Sequence, residues 1–391
     1  MPGNALFAGL PTTVFEVMSQ LAREHFAVNL GQGFPDDLGP QDVREHAAHA
    51  VVHGNNQYPP MLGVPALREA IAAHYTEWHA LSYDPASEIM VTSGATEALA
   101  AAAFALIEPG DPVVLFEPMY DAYLPLVLRA GGVPRFVSLA APAFTLTEDA
   151  LAAAFAPDAT GKRPRLALFN TPQNPATRVY SADELDVLAR ACVAADAICV
   201  CDEVWEHVVF DGRAHVPLAS RPGMRERTVK IGSAGKIFSM TGWKVGFVCA
   251  PNALLRLLAK AHQYLTFTTP PNLQAAVAFG LGKPREDFLA MQAAHQARRD
   301  RFERELRGLG LDVLPSEGTY FLNVDVRALT SLGDVEFCQW LVREHRLATI
   351  PVSAFYTTSR TQTLVRFCFA KREETLQRAL EHLQRALRQL P

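Results

Sequence analysis

Lys236 and Lys244 stand eight positions apart in the stretch Ser233-Ala234-Gly235-Lys236-Ile237-Phe238-Ser239-Met240-Thr241-Gly242-Trp243-Lys244-Val245-Gly246, in a chain with only seven lysines. Small residues precede the first lysine, and Gly242 and Gly246 bracket the second. Such neighbours let a bulky planar group come close to the backbone. A lysine amine in a poorly solvated pocket loses part of its preference for the charged form and becomes a nucleophile. Taken alone, the stretch reads equally well as two surface lysines beside a glycine-rich turn.

Other residues with chemical potential stand at comparable places. Thr92-Ser93-Gly94-Ala95-Thr96-Glu97 follows a short apolar run and opens an alanine-rich helix. Free N–H groups and the helix dipole make such a mouth a phosphate site, although an ordinary N-cap by Ser93 or Thr92 explains it too. Tyr120 and Tyr123 follow the run ending at Pro118, and Asn174 follows Leu166–Asn170 within Thr171-Pro172-Gln173-Asn174-Pro175. The two X-Pro bonds there are candidates for cis geometry. Asp202 ends the apolar run Ala197-Ile198-Cys199-Val200-Cys201, an uncomfortable place for a charge without a partner.

The elements that must position these residues alternate. Apolar strands over 88–91, 111–118, 134–137, 166–170, 197–201 and 229–233 are separated by helical segments, and 243–250 reads as an antiparallel return. This predicts an α/β fold with a mostly parallel sheet covered on both faces, whose ligands sit beyond the carboxyl ends of the strands. Thr92–Thr96, Tyr120, Asn174, Asp202 and Lys236 all fall just past strand ends. A ligand needing all of them carries a phosphate, a flat ring, an acceptor on that ring and an aldehyde that takes an amine. Pyridoxal phosphate has all four, and Asp202 would keep its pyridine nitrogen protonated so that the ring accepts electrons.

Composition narrows the class. The chain has 391 residues, 49% hydrophobic and 20% charged, with a net charge of −5. That suits a globular protein with more than one core, and the mixed charge argues against a nucleic-acid footprint. The six cysteines form no Cys-x-x-Cys pair, a pattern of core residues in a reducing, cytoplasmic compartment rather than of disulfides or metal ligands. No signal-peptide pattern or apolar run of membrane-spanning length occurs. Neither a Walker loop nor a G-x-G-x-x-G fingerprint is present, which disfavours a nucleotide-binding dehydrogenase.

Six motifs in order then carry a resemblance: Leu30-Gly31-Gln32-Gly33-Phe34-Pro35-Asp36, Thr92–Ala98, Asn170–Pro175, Cys201–Val204, Gly232–Lys236 with Thr241–Gly246, and Val365-Arg366-Phe367-Cys368-Phe369. Over nearly its whole length the chain resembles the fold-type I, class I/II pyridoxal phosphate-dependent aminotransferases, and within them the kynurenine/glutamine/methionine branch. The resemblance implies an aspartate aminotransferase-like fold. A large cofactor-binding domain over 46–284 would carry the mostly parallel sheet. A smaller α+β domain would span 285–391, with 1–45 as an N-terminal arm and part of it. Lys236 would hold the cofactor covalently and move protons, Asp202 would pair with the ring nitrogen, Asn174 would reach the ring hydroxyl and the substrate, and Tyr120 would stack on the ring. Gly94, Ala95, Thr96, Ser233 and Lys244 would hold the phosphate, with Tyr58 reaching it from a second subunit of a homodimer. Arg366 would bind the substrate α-carboxylate, with strand alternation turning it inward, and Gly33 would leave room for the substrate backbone.

Departures from the family's pattern stand out. Trp205 replaces a common tyrosine near the ring hydroxyl, an indole being a donor of different reach. Asn174-Pro175-Ala176-Thr177 is a loose version of the usual Asn-Pro-Thr-Gly, and Lys244 stands where other branches carry arginine. Phe15, Phe34, Tyr58, Tyr120, Phe321 and Phe355 could build an aromatic pocket, and residues 261–282 hold no arginine for a distal carboxylate. The expected reaction moves the amino group of an apolar, sulfur-containing or aromatic amino acid to a 2-oxo acid. The alternatives are a cysteine-conjugate or cystathionine β-lyase of the same fold and, given that the chain starts directly with the arm, less readily a non-catalytic regulator.

Overall fold

The computed structural model describes residues 3–357 and 362–390. A first short strand, β1 (Val28–Asn29), lies apart from the main sheet. The main sheet holds β2 (Ile89–Thr92), β3 (Pro112–Glu117), β4 (Val133–Ser138), β5 (Leu166–Asn170), β6 (Ile198–Asp202), β7 (Thr228–Ser233) and β8 (Gly246–Cys249). Their spatial order is β2-β8-β7-β6-β5-β3-β4. Only β8 runs antiparallel, pairing with β2 and β7. Every residue of β2, β3, β5, β7 and β8 is buried, as continuous apolar runs covered on both faces require.

The helices follow the sequence signals closely. Thr13 caps Val14–Glu24 by accepting from the Glu16 N–H, and a further helix spans Gln41–His53. Ser181 and Glu184 form a reciprocal capping box at the start of Ala182–Ala195. Helices Asn252–Leu265 and Pro271–Leu281, together with Asp334–His345, add to the pattern read from sequence.

The C-terminal part adds β9 (Asp312–Val313), β10 (Phe321–Asp325), β11 (Leu347–Ala348), β12 (Ile350–Pro351) and β13 (Leu364–Cys368). An antiparallel sheet runs β12-β13-β10-β9, and β1 pairs with β11 in parallel. The N-terminal arm is thereby tied to the C-terminal part. All five residues of β13 are buried, so strand alternation does not select the direction of Arg366. Its register opposite Asn323 and Ile350 places it.

Candidate active site

Parallel pairing puts the chemistry at one edge of the sheet. Asn170 is registered with Asp202, and Asp202 with Ile231 two residues before Ser233. Gly246 pairs with both Thr92 and Ser233, which brings the helix mouth beside the lysine stretch. A cavity of about 190 Å³ opens there, lined among others by Gly94, Ala95, Thr96, Tyr120, Asn174, Asp202, Trp205, Ser233, Lys236 and Lys244. A second, of about 400 Å³, shares Tyr120, Asn174, Trp205 and Lys236 with it and adds Phe15, Gly33, Asp121 and Arg366.

Helix Ala95–Leu106 starts from Gly94 with no side-chain cap, so its first N–H groups remain available and the N-cap alternative for Ser93 or Thr92 fails. Gly94 has φ +78°, and a Cβ there would stand 3.3 Å from Lys244 Nζ. A Cβ on Gly246 would stand 2.7 Å from the Ala95 nitrogen. Lys244 itself adopts φ 55°, a conformation that a branched or bulky residue rarely holds without local support. The Ser233 side chain caps nothing in its own helix. Uncapped N–H groups, a hydroxyl and an ammonium converging where a Cβ would not fit make an anion cradle.

The Lys236 Nζ donates to the Gly33 carbonyl oxygen at 3.2 Å and lies 4.4 Å from the Trp205 ring centroid. Burial pushes its amine down to about 8, so about a tenth is free base at pH 7, far more than for a solvated lysine. Asp202 is fully buried at the end of β6. Burial raises its carboxyl, while the Tyr123 hydroxyl donating to Oδ2 at 2.6 Å favours the charged form. Tyr123 was legible in sequence only as a neighbour of Tyr120. Its hydrogen bond to a residue 79 positions away depends on how the helix Tyr123–Arg129 packs.

Arg366 is 1% exposed and donates to Asn174 Oδ1 at 2.7 Å and to the Gly31 carbonyl at 3.0 Å. Its Nε has no partner among the described residues. Burial pulls the guanidinium down to about 10, with Asp121 and Tyr120 opposing that pull. Phe321 lies 3.8 Å from its central carbon, Phe355 5.1 Å and Phe15 5.3 Å. Gly33 lines the larger cavity, and the space a Cβ would need there is taken by Phe321, whose Cζ would stand 2.6 Å away. Gly33 thus makes room for a protein ring, and its carbonyl meets Lys236.

Two supporting groups escaped the sequence analysis. Tyr320 donates to the Lys236 carbonyl at 3.0 Å, packs edge-on against Trp205 and meets Ser239, which in turn meets His295. Behind Asp202, the fully buried Lys230 lies 2.9 Å from Glu203 and 2.8 Å from Glu206. Burial alone would raise Glu203, yet the Lys230 charge and the His215 contact hold it at about 2. Glu203, Glu206 and His215 have metal-ligand spacing, but the Lys230 ammonium is the cation bridging the two carboxylates. This cluster pins the turn that carries Asp202 and Trp205. Both Thr171-Pro172 and Asn174-Pro175 are cis. Tyr58 is 82% exposed and touches Phe267, outside both cavities of its own chain.

The residues present fit pyridoxal phosphate: an anion cradle, a buried carboxylate and a partly neutral lysine amine line one cavity.

Comparison with known proteins agrees with this geometry. The sequence model of the family "Aminotransferase class I and II" matches residues 27–383. A methionine aminotransferase from Escherichia coli is 43% identical over 374 residues, 96% of each chain. A solved Escherichia coli methionine aminotransferase superposes with a TM-score of 0.94 at 42% identity, covering 98% of this chain and 100% of that one. N-succinyldiaminopimelate aminotransferase from Mycobacterium tuberculosis also reaches a TM-score of 0.94, at 43% identity and with 98% and 99% covered. Human kynurenine–oxoglutarate transaminase 1 is 37% identical over 94% of each chain.

Proposed function

As this chain belongs to the class I and II aminotransferases, which depend on pyridoxal phosphate, we propose that it transfers the amino group of an apolar, sulfur-containing or aromatic L-amino acid to a 2-oxo acid by a ping-pong reaction. The observation that carries the reading is the pairing of a lysine amine with a lowered pKa and a buried guanidinium that has aromatic neighbours and one nitrogen without a partner among the described residues. When bound, the cofactor supplies an aldehyde and an electron-accepting ring.

The chain's own residues do the rest. Arg366 takes the substrate α-carboxylate through its planar fork, while Asn174, hydrogen-bonded to it, fixes the fork's orientation. Lys236 removes and returns the proton at the substrate α-carbon, a task suited to an amine that titrates near working pH. Asp202, held by Tyr123, keeps a proton on the ring nitrogen. Gly94, Ala95, Thr96, Ser233 and Lys244, which line the smaller cavity, would hold the phosphate, and Tyr120 would pack on the ring. Trp205 backs the lysine with a ring that does not titrate. Phe15 and Phe355 flank Arg366 and exclude water from the carboxylate.

The active unit in this reading is a homodimer. The exposed Tyr58 packs against Phe267, an exposed aromatic pair suited to a second copy. The large domain comprises 46–284 and the small one 285–391, completed by 1–45, which the β1–β11 pairing supports. The compartment is cytoplasmic and reducing, consistent with six buried free cysteines.

A panel of amino donors tests the substrate class: kcat/KM is expected to be highest for methionine, leucine or phenylalanine, and a maximum for aspartate overturns it. Product analysis is expected to give a new amino acid, not pyruvate and a thiol. A second expectation concerns pH. The rate at which cofactor-free protein takes up pyridoxal phosphate should rise about tenfold per unit below pH 8 and level off above it, because the depressed lysine is free base only above its pKa of about 8. A plateau reached only near the ordinary lysine value means the amine is solvated.

A further inference from the structure

Relatives of nearly equal identity have names that point to opposite substrates: methionine is a monocarboxylate, whereas N-succinyldiaminopimelate carries several carboxylates. Identity does not choose between them, but the charges lining the larger cavity do.

Among the described residues that cavity presents two cationic side chains, Arg366 and Lys236. In the proposed function the first is taken by the α-carboxylate and the second by the chemistry. The remaining wall is apolar or neutral, chiefly Phe15, Phe34 and Phe321 with Gln32 and Thr13. Gln32 is already committed, its amide donating to Ser19 Oγ at 2.5 Å. One more charge faces the space: the half-buried carboxylate of Asp121, on the turn between β3 and the helix Tyr123–Arg129. That turn is fixed, because the neighbouring Met119 N–H donates to the Phe355 carbonyl at 2.9 Å. Asp121 and Arg366 influence one another across the cavity. Burial raises the Asp121 carboxyl while the Arg366 guanidinium favours its ionised form, and burial lowers the guanidinium while Asp121 favours its charged form.

We propose that Asp121 is a specificity-determining residue that makes both half-reactions selective for monocarboxylates, so that the 2-oxo acid acceptor, like the amino acid donor, has an uncharged side chain. This rests on the function proposed above and adds the acceptor class and the residue that sets it. A second substrate carboxylate enters a partly desolvated wall that already holds a negative charge and offers it no free cation among the described residues; it loses hydration and meets repulsion. A neutral side chain of the same size loses neither and gains contact with aromatic rings. Selection works through rejection of the wrong partner as much as through attraction of the right one. The reaction that restores this enzyme's acceptor must therefore yield a neutral 2-oxo acid.

The test uses holoenzyme and near-isosteric pairs: glutamine against glutamate as donors, and 2-oxohexanoate against 2-oxoglutarate as acceptors. The wild type is expected to favour the neutral member by about tenfold or more in kcat/KM. Asp121→Asn should shrink both ratios by about tenfold, mainly through a lower KM for the dicarboxylate, and Asp121→Glu should retain them. Calorimetric binding of pentanoate against glutarate should follow the same order without turnover. Wild-type preference for the dicarboxylates, or ratios unmoved in Asp121→Asn, overturns the inference. Should no amino acid react at all, the proposed function fails, and the pentanoate and glutarate affinities still decide on charge selection.

Discussion

Lys236→Ala lowers kcat by at least about 10⁴-fold with every donor, the loss expected when a group acts both as the covalent anchor and as the proton carrier. No other lysine can take its place. The Lys244 ammonium is held beside Gly94 at the helix mouth, and Lys230 is locked between Glu203 and Glu206. Single-turnover measurement with methionine checks this, and a variant that keeps even a hundredth of the wild-type rate sinks the assignment. Fold stability moves the other way. The folded amine titrates at about 8 and the unfolded one near 10.5, so folding carries a penalty that is complete below pH 8 and fades as pH rises toward 10.5. Removing the amine lifts that penalty at pH 7. The cofactor-free variant should therefore melt no lower than wild-type apoprotein.

Arg366→Leu cuts kcat/KM by about 10²- to 10³-fold, the scale of losing a buried, bidentate charge contact. Two effects add. The substrate carboxylate loses its dedicated cation, and Asn174 Oδ1 and the Gly31 carbonyl lose their donor in a buried site. Arg366→Lys recovers only part of the loss, because a single ammonium cannot span both partners and the substrate in one plane. The loss should be carried mostly by KM and should fall alike on neutral and dicarboxylic substrates. Steady-state kinetics on the glutamine and glutamate pair therefore separates it from the Asp121 effect, where the ratio itself changes. A loss confined to one of the two substrates means that Arg366 reads the side chain and not the α-carboxylate.

The route from chain to site explains what could be read early. In a parallel sheet the strand ends carry the ligand groups, and each strand end is a local feature: an apolar run followed by small or polar residues. Asp202, Asn174, Lys236 and the Gly94–Thr96 mouth are legible for that reason. The helix at 182–195 is equally local, set by the capping box at its start.

What the amino-acid order determined by itself was thus the α/β alternation, the groups at the strand ends and, through six ordered motifs, the family. Tertiary packing alone decided which groups meet across long separations: Tyr123 on Asp202, Tyr320 on the Lys236 carbonyl, Lys230 between two glutamates, and Asp121 facing Arg366's cavity. Gly33 shows the limit most plainly, since a glycine announces room in the sequence, while only the fold reveals that Phe321 fills it. The physical reason is range. Helix periodicity, caps and strand ends depend on neighbours a few residues away, whereas burial, pKa shifts and partner choice depend on contacts whose sequence separation runs from tens to hundreds of residues.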